Sequence, residues 1–149
     1  MRLSSLFDSD WHKWAPYVDT LLIPVYEVRI PGKEPDLGEA QRVREVADGV
    51  ERELSGRLLL LPGIPYGSAD DSLLRQYVEH TVCGFKKSGF HHLFLLAPRS
   101  HEGLLTENAG DAWKLLTVSG EESESRLEDE VEAICQQVVA TWETQNFGE

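Results

Sequence analysis

Thr20-Leu21-Leu22-Ile23-Pro24-Val25 and Leu58-Leu59-Leu60-Leu61 are the stretches that decide the fold. Both are apolar at consecutive positions, not at every second one, as expected of strands buried on two faces. His92-Leu93-Phe94-Leu95-Leu96-Ala97 repeats the pattern, and Trp113-Lys114-Leu115-Leu116-Thr117-Val118 reads as a fourth strand. Between the first two runs, Val43, Val46, Ala47, Val50 and Leu54 form one stripe of a helix from about Glu39 to Ser55, which Gly56 is placed to cap. A second helix follows the loop Gly63 to Asp71 and runs to about Ser88, with Leu73, Leu74, Tyr77, Val78, Thr81, Val82 and Phe85 expected on its inner face. The last helix is expected to start near Ser119 or Ser125, each followed three residues later by Glu as in a capping box. Its buried stripe is Leu127, Val131, Ile134, Cys135, Val138 and Trp142. A short aromatic helix over Asp10 to Val18, limited by Pro16, opens the chain. Strands alternating with helices predict an α/β fold: a single three-layer domain with a mainly parallel sheet of about four strands flanked by helices.

Composition narrows the function classes. The 149 residues suit one domain, and 41% hydrophobic content excludes a disordered chain. A net charge of -12 opposes nucleic-acid binding, which needs clustered Lys and Arg, and disfavours docking on an anionic membrane surface. No apolar run approaches the roughly 20 residues that span a bilayer. The first ten residues turn acidic too early for a signal peptide, so a cytoplasmic domain is expected. Cys83 and Cys135 fall in predicted helices and are expected to be buried free thiols. The acidic run Glu121 to Glu132 reads as solvated helix surface, since negative charge is favourable at a helix start.

Parallel sheets place ligands beyond the carboxyl ends of their strands. Four segments meet that condition here: Tyr26 to Gly38, Gly63 to Asp71, Pro98 to Gly110 and the region of Ser119. Phosphate-binding glycine motifs, a nucleophile elbow and the common zinc signatures are all missing. Arg29 and Arg99 each follow a buried strand, and two guanidiniums at one rim would hold a carboxylate or phosphate, with Tyr66 as a wall and Ser68 beside it. The plainer reading has them neutralising nearby acids. Asp70, Asp71, His101 and Glu102 are an alternative metal-ligand set, although helix capping by the aspartates is the favoured explanation. Ser100-His101-Glu102 carries little weight as a triad, because triads join residues from separate elements. No catalytic residue and no cofactor is assigned.

Leu22-Ile23-Pro24-Val25, then Leu58-Leu59-Leu60-Leu61-Pro62-Gly63-Ile64-Pro65-Tyr66-Gly67, then Lys86 to Leu96 resemble the creatininase (creatinine amidohydrolase) family in order and spacing. That resemblance implies a creatininase-like scaffold over roughly Thr20 to Arg99. Its chemistry does not carry over. Where the family has a metal-binding Glu-Gln-His-Gly, the chain reads Arg29-Ile30-Pro31-Gly32, and Arg99 stands where a second motif has its metal-binding His. The chain is also similar to the small uncharacterised YpiF-like proteins of Bacillus relatives. Three readings follow: a non-catalytic domain acting through a protein partner or self-association, a small-anion binder at the rim, and a metal-dependent amidohydrolase with a rearranged site.

Overall fold

Five parallel strands, β1 (Thr20–Glu27), β2 (Leu58–Leu60), β3 (Ile64–Tyr66), β4 (His92–Pro98) and β5 (Lys114–Val118), form the sheet of the computed structural model. It describes residues 1–3, 8–66, 71–106, 113–119 and 124–147. The order is β2-β1-β4-β5, with β3 also paired to β1. The helices are α1 (Asp8–Trp14), α2 (Gly38–Glu53), α3 (Asp71–Lys86), α4 (Glu102–Thr106) and α5 (Glu124–Phe147). The α/β architecture read from the apolar runs is therefore present, with one strand more than expected. No helix among the described residues is long and apolar enough to cross a membrane.

Side-chain alternation along β1 divides the core in two. Leu21, Ile23 and Val25 pack with Leu93, Leu95 and Ala97 against Leu74, Val78 and Val82 of α3. Leu22 packs on the opposite face with Phe94, Leu96 and Leu116, under Val43, Val46 and Val50 of α2 and Ile134, Val138 and Trp142 of α5. This makes the expected three layers.

The extra strand comes from a break in the sheet edge. Leu61 N–H donates to Leu22 O at 3.0 Å, and Val28 N–H donates to Tyr66 O at 2.8 Å. Positions 22 and 28 have the same parity, so β2 and β3 follow one another along the same edge of β1. Pro24 faces that edge too, and it has no N–H to give to a ladder. Pairing stops at Leu22 with Leu60 and resumes at Val25 with Ile64, three steps along β1 but four along its partner. The additional residue acts as a bulge and inverts the side-chain alternation. Leu59 and Leu61 before the gap, and Ile64 and Tyr66 after it, consequently all face the α3 side.

At the amino ends of the strands, Arg57 Nε donates to Asp19 Oδ1 at 2.9 Å, and its guanidinium lies 4.0 Å from the Trp142 ring centroid. The buried Trp142 Nε1–H donates to Thr20 Oγ1 at 2.9 Å, and that hydroxyl donates to Asp19 Oδ1. One polar cluster thus joins β1, the Arg57 turn and α5.

Two expectations need correction. Leu73 and Tyr77 of α3 are exposed, not buried, because Leu74, Val78 and Val82, with Phe85 beside them, fill the contact with the sheet. Cys83 is exposed and Cys135 only half-buried; burial, with Glu53 and Glu132 nearby, pushes the Cys135 thiol up to about 11. The last helix starts at Glu124, beside Ser125, the second of the two expected starts, while Ser119 is engaged with Glu130. Replacing Thr20 by Val keeps the shape but strands the buried indole N–H of Trp142. Urea denaturation is expected to show a loss of about 1–3 kcal/mol, and an unchanged midpoint would refute the structural role of this bond.

Candidate functional site

Beyond the carboxyl ends of β1, β3 and β4, four side chains converge. Glu27 and Arg29 are two positions apart on extended backbone, so they project to the same side. Arg29 Nη2 donates to Glu27 Oε2 at 2.9 Å, and this hydrogen bond holds the Glu27 carboxyl below its usual range. The chain then turns back on itself. Asp36 N–H donates to Arg29 O at 2.8 Å, and Gly32 and Lys33 occupy the left-handed region at φ 60° and 66°.

Tyr66 ends β3 opposite Glu27, a position it owes to the bulge. Its ring meets that of His101 edge-on, with centroids 5.5 Å apart. His101 closes the single 3-10 turn Arg99–His101 after β4 and is only 6% exposed. Its Nδ1 lies 3.2 Å from Ser100 Oγ. Burial pushes the imidazole below its ordinary value despite the opposing pull of the Glu39 and Glu27 carboxylates. His101 is therefore neutral near pH 7, able to accept or donate one hydrogen bond. It hydrogen-bonds no carboxylate among the described residues, so nothing orients it as a triad base would be oriented.

At the end of β5 a second ion pair closes the rim. Arg42 Nη2 donates to Glu130 Oε1 at 2.8 Å with the guanidinium buried, and Ser119 donates to Glu130 through its N–H at 3.0 Å and its hydroxyl at 2.7 Å. Burial works to raise the Glu130 carboxyl, but the bonds from Ser119 and Arg42 outweigh it and hold the group below its usual range.

The structure thus brings Arg29, Tyr66 and His101 into one cluster, through Glu27, which the motif search passed over. Spacing was the available signal, since an acid and a base two apart at a strand end meet. Arg99 is exposed and makes no ion pair among the described residues, while Arg29 is already engaged. Glu102 opens α4 and is exposed. Asp71 is the first residue of α3, and Ser68 and Asp70 lie outside the described residues. No group of three or more His, Cys, Asp or Glu able to hold a metal exists among the described residues. Of the rim carboxylates, Glu27 is committed to Arg29.

A family model described as "Protein of unknown function (DUF2487)" matches residues 9–143. The chain belongs to the DUF2487 family. No curated protein matches this DUF2487 chain. Among solved structures it is similar to a type II creatininase carrying a Trp-to-Phe substitution, at TM-score 0.59 and 16% identity over 79% of this chain and 57% of that one. A second creatininase with such a substitution superposes at TM-score 0.52 and 14% identity, covering 94% of this chain and 53% of that one. The chain spans a little over half the length of these creatininases, and the likeness is one of fold.

Two outcomes test this geometry. Burial also lowers the His92 imidazole, with Asp19 pulling the other way, so the unfolded chain protonates both histidines at higher pH than the folded one does. Stability is then full above about 6.5, the ordinary histidine value, and falls as the pH drops below it. Urea midpoints are expected to decline in that window, less steeply in His101→Asn; an unaltered slope in the variant would contradict the burial of a neutral imidazole. Glu130→Gln removes the carboxylate charge that Arg42 and Ser119 hydrogen-bond and is expected to cost about 1–3 kcal/mol. A change below experimental error would show that this pair does not hold the rim.

Proposed function

We propose that the chain is a non-catalytic creatininase-like domain that acts by association, with a protein partner or with a second copy of itself. The observation that carries this reading is the exposure of Leu73 and Tyr77, 63% and 57%, on adjacent turns of α3. Residues four apart share a helix face, and apolar side chains gathered on an exposed face mark interaction surfaces. Trp14 and Tyr17 add exposed aromatic area near the start of the chain, whereas Trp11 packs on Phe90. The guanidinium-bearing rim supports the non-catalytic half of the proposal, because Arg29 and Arg99 would repel a divalent cation. In the same reading the domain is cytoplasmic and akin to the YpiF-like proteins.

A second reading, a small-anion binder at Arg29, Tyr66, Ser68 and Arg99, draws support from Arg99, which is exposed and makes no ion pair among the described residues. It is weakened by the pairing of Arg29 with Glu27. Light scattering across a concentration series, with a thermal-shift screen alongside, separates the possibilities. Association predicts a concentration-dependent dimer or a co-purifying protein, lost in the double variant Leu73→Asp, Tyr77→Ser, with no shift from small molecules. A monomer at every concentration, purified alone and stabilised by zinc or manganese in a His101-dependent way, would overturn the proposal. It would favour the rearranged set of Asp70, Asp71, His101 and Glu102.

A further inference from the structure

The break in the sheet edge leaves a cleft. Opposite Pro24, where β2 has ended and β3 has not begun, a cavity of about 270 Å³ opens on the α2 face, floored by Pro24 and by Leu60 to Gly63. Arg44 and Asp48 of α2 and the side chain of Arg2 complete its walls. It lies beside the carboxyl-terminal half of β1, the end at which parallel sheets take ligands, yet it is separate from the Tyr66 and His101 cluster, which lies on the other face.

We propose that this cleft binds a small oxyanion, a carboxylate or phosphate group, with Arg44 as its principal counter-ion. Three observations support the assignment. First, the two cations in the lining differ in what they already do. Arg2 is engaged by Asp48 at 3.1 Å and by Glu51 at 3.4 Å, whereas Arg44 makes no ion pair or hydrogen bond among the described residues. An exposed guanidinium at the mouth of a concave site offers a forked set of donors to a carboxylate or phosphate. Second, Tyr26 lies across Gly63 so closely that a Cβ there would stand 2.8 Å from its hydroxyl oxygen. A side chain at position 63 would press on this ring, and Tyr26 shares the cavity lining with Arg44, its phenolic O–H donor and acceptor alike. Third, with Arg2 matched by Asp48 and Glu51, the Arg44 charge is the one the lining leaves for an anion on a chain whose net charge is -12. Local field and local donors thus favour an anion where the molecule as a whole repels one.

This inference does not depend on the association reading, and its test separates it from the rim alternative. Inorganic phosphate and malonate are titrated at low salt into the intact chain, its Arg44→Gln variant and its Arg99→Gln variant, following amide resonances by two-dimensional NMR. Arg44 is exposed, so its loss should leave the fold intact, and the spectrum itself reports whether it does. Saturable shifts centred on Gly63 and Tyr26, weakened about tenfold in Arg44→Gln and unchanged in Arg99→Gln, are expected. Saturation by phosphate alone assigns a phosphoryl ligand, and saturation by malonate alone assigns a carboxylate. The proposal fails if neither anion saturates in the millimolar range, if Arg44→Gln binds as the parent does, or if the response depends on Arg99.

Discussion

Strand β1 is the element on which the other layers are hung. It pairs with β2 and β3 on one edge and with β4 on the other, and each of its faces supplies side chains to one of the two cores. A strand so placed must be apolar on consecutive positions, and Thr20-Leu21-Leu22-Ile23-Pro24-Val25 is. The same constraint shapes what surrounds it. Because Pro24 withholds one donor from the ladder, the neighbouring edge cannot run straight through, and it breaks into two short strands with a residue to spare. The position of Tyr66 at the rim and the cleft beside Tyr26 both follow from that one missing N–H.

At the rim, Glu27 is committed to Arg29 and Glu130 to Arg42, and the buried His101 imidazole is neutral near pH 7. Paired in this way, the acids serve to hold loops and helices against the sheet. Creatininase-like architecture does not by itself set an activity, since the fold resides in apolar strands while any chemistry resides in a handful of loop residues.

Much of this was written in local patterns. The apolar runs disclose four strands, and the helical stripes disclose which face of α2 and α5 meets the sheet. What stayed hidden is non-local or a matter of parity. Arg42 and Glu130 are 88 residues apart, and no local rule joins them. The face taken by Tyr66 depends on one inserted residue between Leu60 and Ile64, which Pro62-Gly63 hints at without fixing. The exposed outer face of α3 was misread because Leu73 and Tyr77 fit the same period as the buried Leu74 and Val78, and periodicity alone does not say how wide the covered stripe is. The Glu27 and Arg29 pair, by contrast, was legible in its spacing.

The interrupted edge has a bearing on solubility. A long, unbroken border of free peptide groups invites another chain to zip on as an additional strand, the first step toward fibrous self-assembly. Here the border offers only two three-residue pieces, offset by a bulge, carrying Pro62 and Pro65 and partly occupied by the bridge from Arg2 to Leu60. An incoming backbone would find no run of donors long enough to template it. The proline that mars the ladder of β1 thereby shields this border from indiscriminate sideways growth.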